Sequence, residues 1–237
     1  MRNALVTGVS RRAGIGFAIV RRLEEAGTHV FTQGWTPHDA AQPWGADETV
    51  NPSIEADFAE PDAPARVVAA ACDALGPLDV LVVNHARSGD GRLDELTAEH
   101  LDAFLHENVR ASLLLVKEFA AQFAGDTGRV VLLTSGAHLD AMTTEVGYAV
   151  SKGALAVATR TLAYELADRG ITVNCINPGP TDTGWGLADV DPKPRMPSGR
   201  WGEPDDAARL VAWLCSDDGR WITGQVIDSE GGFRRST

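Results

Sequence analysis

Short apolar, β-branched runs rich in valine alternate with longer amphipathic segments along this chain, and that alternation restricts the fold more than any other feature. Strand-length runs at Ala4–Thr7, His29–Gln33, Val80–Asn84, Arg129–Thr134, Thr172–Ile176 and Val226–Asp228 are separated by helix-length stretches. This is the sequence form of repeated βαβ units around a parallel sheet. The clearest helix is Ala149–Arg169, in which Leu155, Thr159, Leu162 and Leu166 make an inward stripe and Gly170 supplies the stop. The expectation is an α/β fold, a single-domain Rossmann-type doubly wound parallel β-sheet flanked by helices, spanning residues 1–237.

Composition narrows the function classes. With 44% hydrophobic and 23% charged residues the chain can bury a sizeable core. A formal net charge of −12 opposes attraction to phosphate backbones or anionic lipid, so neither nucleic acid nor a membrane is an expected partner. Cys72, Cys175 and Cys215 are odd in number and widely spaced, as small core residues of a reducing compartment are. His38, His100 and His138 lack ligand-like spacing, and no metal is expected. No run approaches a membrane-spanning length, and the chain opens directly on a strand-like segment; both point to a soluble cytoplasmic protein.

The first strand ends at Thr7-Gly8 and leads through Ser10, Arg11 and Arg12 to Gly14-Ile15-Gly16 and an amphipathic helix. Glycines there let the backbone approach a pyrophosphate, and the helix N-terminus aims unpaired N–H groups at its charge. Gln33, Gly34 and Trp35 stand where the second strand would carry a ribose-binding carboxylate for NAD(H). Arg11 and Arg12 can meet a 2′-phosphate instead, so NADP(H) is favoured and NAD(H) is the alternative.

Tyr148 and Lys152, four residues apart, share one helix face. A neighbouring ammonium, together with the cofactor's positive ring, would lower the phenol pKa from ~10 toward about 7, suiting it to exchange a proton with a substrate oxygen. Ser135, at the end of the run Val130–Thr134, can hold the same oxygen. Asn108 sits in a helical segment where a polar side chain requires a partner.

These motifs, in this order and over nearly the whole length, resemble the short-chain dehydrogenase/reductase superfamily, 3-oxoacyl-[acyl-carrier-protein] reductases among them. The resemblance implies that Asn108, Ser135, Tyr148 and Lys152 are catalytic, with Asn108 positioning a proton-relaying water. It further implies that Gly8, Ser10, Arg11, Arg12, Gly14, Ile15, Gly16, Asp57, Phe58, Asn84, Pro178, Gly179 and Thr183 contact the cofactor, with Tyr148 and Lys152. A homotetramer, or a dimer, is expected on the same ground. Two departures stand out. The glycine loop is two residues longer than the common pattern, and His85 replaces a small residue after Asn84, where it either braces the turn or faces the substrate.

The implied activity interconverts a carbonyl and a secondary alcohol on a small molecule, such as a 3-oxoacyl thioester held on acyl carrier protein. Arg129 and Arg169 are either carrier contacts or ordinary surface arginines. The residues 181–204 form a candidate substrate loop, in which Trp185 and Trp201 either favour an apolar substrate or anchor the loop. An enoyl thioester reductase, or a catalytically silent NADP(H) sensor, is the competing function.

Overall fold

The computed structural model describes residues 1–184, 187 and 190–235. Among them, seven parallel strands form one sheet: β1 (Asn3–Thr7), β2 (His29–Gly34), β3 (Ile54–Glu55), β4 (Val80–Val83), β5 (Gly128–Leu133), β6 (Ile171–Asn177) and β7 (Val226–Asp228). Their order is β3-β2-β1-β4-β5-β6-β7. The sheet is covered on both sides, which explains why its strands read as unbroken apolar runs. Leu5, Leu81, Val83, Val130 and Leu132 pack into one core with α3 (Ala63–Leu75), α5 (Ala111–Gln122) and α6 (Val146–Leu166). Ala4, Val6, Val80, Val82, Val131 and Leu133 point the other way, onto α1 (Ile15–Glu25) and α7 (Pro204–Cys215). The two-residue period of a strand thus feeds two cores from each run.

Two elements differ from the sequence expectation. β3 has only two residues, too few to show a period. Helix α6 begins three residues before Ala149, because its first turn packs on α4 (Ala98–Phe104) and not on the sheet. A Cβ on Gly147 would lie 2.6 Å from the Phe104 ring, so that close approach leaves no apolar stripe to read. Past α6, a single 3-10 turn, Ala167–Arg169, ends at Gly170 with φ of 70°. No helix of the described residues is long and apolar enough to cross a membrane.

The order reverses between β1 and β4, and a crevice opens where the two strands end, the usual ligand position in such sheets. Asn84 closes its floor: the side-chain amide donates to the carbonyls of Thr7 and Gly8, both at 3.0 Å.

Candidate active site

Two connected cavities occupy this crevice. The first, about 290 Å³, is lined by Gly8, Ser10, Arg11, Gly14, Ile15, Asp57, Phe58 and Asn84. The second, about 670 Å³, is lined by Ser135, Tyr148, Pro178 and Gly179. Ile15, Ser88 and Thr183 border both, so one cleft runs from the glycine loop to the first turn of α6.

The glycine loop fits a nucleotide diphosphate. A Cβ on Gly8, whose φ is 72°, would meet the His85 backbone at 2.8 Å, and one on Gly16 would meet the Gly8 carbonyl at 2.4 Å. Helix α1 starts after Gly14 with no side chain capping its N–H groups, which leaves them for an anion. Gly16 itself lies behind the cavity wall, holding the helix against the turn. Gln33 is structural: its Oε1 accepts from the Gly8 N–H at 3.1 Å and its Nε2 donates to Ala56.

The two loop arginines separate. Arg11 lines the cavity, pairs with Asp39 at 3.3 Å, lies over the Trp44 ring at 4.6 Å, and donates to the Thr183 carbonyl at 3.0 Å. Arg12, expected beside it, is not in the cavity wall: it is exposed, with its Nε on Thr49 Oγ1 at 2.6 Å and its N–H on Asp47. Sequence reading missed Asp39, His38 and Trp44, which the long 35–53 connection folds back over the first cavity. Its length was the one available signal, since long connections in compact domains tend to be functional.

At the other end of the cleft, Ser135 follows β5 and Tyr148 sits in the first turn of α6, and both border the second cavity. Among the described residues, the Ser135 hydroxyl has only the Met142 thioether, at 3.9 Å, as a partner. Lys152 is buried, 2% exposed, one turn further along. Burial pulls its ammonium down to about 8. Tyr148 departs from expectation. Burial first, and the Glu145 carboxylate second, push its phenol up to about 12, so the protein's own groups hold it protonated. Lys152 does not outweigh them.

Asn108 lies in a π-helical turn, Leu105–Arg110, and not in regular α-helix. Such turns concentrate at functional sites. Here the widened turn lets the side chain clamp the chain after β4: Oδ1 accepts from the Arg87 N–H at 2.7 Å, while Nδ2 donates to the Arg87 carbonyl and to Ser151 Oγ, both at 2.9 Å. Both amide hydrogens are therefore committed within the protein. The backbone carbonyl of Asn108 accepts from Ser112 Oγ at 2.6 Å.

His85 braces the turn. Its Nε2 is 3.0 Å from the Glu107 carbonyl and its Nδ1 2.8 Å from Thr7 Oγ1, with the ring 4.2 Å from that of Phe58. A carbonyl only accepts, so Nε2 carries the hydrogen and Nδ1 receives one from Thr7. Burial, and then the Lys152 charge, lower its pKa to about 3, which keeps it neutral in that tautomer. The imidazole thus ties the end of β1 to the turn holding Asn108. His85→Gln can still reach Glu107, whereas His85→Asn places its amide near Nδ1 only. Steady-state kinetics are expected to show a turnover loss of about tenfold in the Asn variant and only about threefold in the Gln variant, on the scale of one lost buried hydrogen bond.

Arg129 does not fit a carrier contact. It is 2% exposed, donates to the Gly128 carbonyl at 3.0 Å, and lies at the start of β5, whereas Ser135 lies beyond that strand's other end. Arg169 bonds the Ala120 carbonyl at the far end of α6 from Tyr148. Trp201 anchors its loop, with Nε1 on the Val190 carbonyl at 3.1 Å and its ring facing Phe233. Trp185 lies outside the described residues.

A glycine-loop cleft at the sheet's switch point, joined to a Ser-Tyr-Lys cluster, defines a nicotinamide-dependent oxidoreductase. The comparisons agree. The family model described as Enoyl-(Acyl carrier protein) reductase matches residues 8–234. The uncharacterized oxidoreductase YjdA of Bacillus subtilis is 39% identical over 242 residues, covering 98% of this chain and 96% of that one. The 3-oxoacyl-[acyl-carrier-protein] reductase FabG of Rickettsia bellii is 32% identical, with 97% and 95% covered. Among solved structures, a blue fluorescent protein from a metagenomic library, in complex with NADPH, superposes with a TM-score of 0.85 at 34% identity, covering 98% of this chain and 97% of its own. The chain belongs to the short-chain dehydrogenase/reductase superfamily.

Proposed function

We propose that this protein reduces a ketone on a small molecule to a secondary alcohol, with NADP(H) as cofactor in preference to NAD(H). The observation that carries the reading is the pair of hydroxyls, Ser135 and Tyr148, bordering one cavity with no oxygen of the described residues bound to either side chain, and the buried Lys152 one turn behind them. Groups left open in this way are suited to a substrate oxygen. A bound nicotinamide supplies hydride exchange. Ser135 holds the carbonyl oxygen and Tyr148 gives the proton at Oη, as a phenol held protonated is able to do. Lys152 holds the cofactor ribose, and Gly8, Gly14 and the open end of α1 hold the diphosphate. Asn108 keeps the chain after β4 in place.

Arg11 is the residue suited to a 2′-phosphate, but Asp39 competes for it. Arg11→Ala is expected to weaken NADPH binding by at least about tenfold, the loss of a charge-assisted bond, and to leave NADH within about twofold. Asp39→Asn, by removing the competing carboxylate, is expected to tighten NADPH. Fluorescence titration of both cofactors against both variants checks this, and equal losses for NADH and NADPH would count against Arg11 as the discriminating group. The solved relative bound to NADPH, and a short chain dehydrogenase of Burkholderia cenocepacia in complex with NADP at 34% identity, support the same preference.

A 3-oxoacyl thioester is the first substrate class to assay, supported by the FabG relative. The enoyl reading draws on the matching family description and the lengthened glycine loop. One experiment decides between them: the purified protein is given NADPH with paired 3-oxoacyl and 2-enoyl thioesters, and the product is identified as an alcohol or a saturated chain. An alcohol supports the proposal, and a saturated chain replaces it with the enoyl reading.

A further inference from the structure

The second cavity is electrically asymmetric, and the asymmetry has a use. Arg195 stands in its wall, at the exposed mouth. The backbone around it is fixed on both sides: its N–H donates to the Pro192 carbonyl at 2.9 Å, its own carbonyl accepts from the Arg234 N–H at 2.9 Å, and the neighbouring Met196 is buried. The guanidinium lies 6.0 Å from the centre of the Phe233 ring, with Arg235 at 5.3 Å from the same ring.

The two cations differ in one respect. Arg235 is neutralised by Glu230, which is itself held by Asn177 Nδ2 at 2.6 Å. Arg195 has no carboxylate partner and no side-chain hydrogen bond among the described residues; its contact is the aromatic ring. The other acids of the cavity are Asp140, which accepts from the Ala141 N–H at 2.8 Å, and Glu145, which has no cationic partner among the described residues. Glu145 lies at the catalytic end, close enough for its charge to act on Tyr148. Among the described residues, a cation with no carboxylate partner therefore stands at the mouth, and Glu145, a carboxylate with no cationic partner, stands beside the reacting hydroxyl. An anionic group is drawn to the first and repelled from the second, which orients whatever molecule carries it.

We propose that the substrate is a ketone bearing an oxyanion at its distal end, received by Arg195 and Phe233 while the carbonyl lies at Ser135 and Tyr148. This rests on the carbonyl-reductase reading above. The oxyanion is either a carboxylate of the substrate itself or the phosphate of a pantetheine arm, and the chemistry that recognises it is the same.

The test uses matched pairs that differ in that charge: 4-oxopentanoate with its methyl ester, and 3-oxobutanoyl pantetheine with its 4′-phosphate. In the unmodified protein kcat/KM is expected to favour the anionic member of at least one pair by about tenfold or more, through KM and not kcat, on the scale of a charge-assisted contact. In Arg195→Met that ratio is expected to fall toward one, and in Arg195→Glu to invert. The pair that responds identifies the source of the anion. Ratios near one in the unmodified protein, or a ratio that survives both substitutions, overturn the proposal and leave the reductase reading standing. If neither member of either pair is reduced, while NADPH binds, the reductase reading fails and this proposal fails with it.

Discussion

Replacing Tyr148 with Phe is expected to lower turnover about a thousandfold and to leave cofactor affinity within about twofold. The substitution removes one oxygen from a ring at the border of the second cavity, and no described residue relies on that oxygen for a hydrogen bond, so the fold loses nothing by it. The phenol is held near 12 by burial and by Glu145, so it carries its proton over the whole neutral range. Single-turnover rates with NADPH and a reducible ketone, beside a cofactor titration, check this; a Tyr148→Phe protein with normal turnover would remove Tyr148 from the role of acid.

The second large effect runs in two directions at once. Lys152→Met is expected to abolish turnover and to raise stability. The ammonium is buried and has no ionic partner among the described residues, and a group whose pKa falls from its usual 10.5 to about 8 destabilises the folded state. That displacement corresponds to roughly 3 kcal/mol at most. For a base lowered in this way the penalty is complete below pH 8, where folded and unfolded chains are both protonated. It shrinks between the folded and unfolded pKa values and is absent above the unfolded one. Methionine fills a similar volume without the charge. The variant is therefore expected to melt several degrees higher at neutral pH, on the order of 2–4 °C per kcal/mol, with the gain vanishing in strong alkali. Thermal unfolding at pH 7 and near pH 11 measures it. An unchanged melting temperature at pH 7 would mean that the ammonium is better solvated than its burial implies.

Both results depend on features that the sequence discloses unequally. The Tyr148–Lys152 spacing is legible because four residues make one helical turn wherever a helix forms. The apolar runs of β1, β4, β5 and β6 are legible because strands covered on both faces tolerate few polar side chains. The stripe through Leu155, Thr159 and Leu166 is legible for the same reason, and all three are buried. The sign of the Tyr148 pKa is not. Proximity to Lys152 predicts a lowered value, but the balance is set by how much water the fold removes and by Glu145, and neither is a property of spacing.

By itself, then, the amino-acid sequence determined the parallel α/β architecture, the glycine turn at the end of β1, and the order and spacing of Asn108, Ser135, Tyr148 and Lys152, because periodicity and turn chemistry act over a few neighbouring residues. Only the tertiary structure decided that Arg11 enters the cleft and Arg12 leaves it, that Asp39 arrives from a long connection to oppose Arg11, and that Arg129 is buried. It also decided that His85 locks Thr7 to Glu107 and that Arg195 stands without a carboxylate among the described residues. Each of these is a question of which distant groups share a desolvated space, and burial and charge pairing are settled only when the chain has closed on itself.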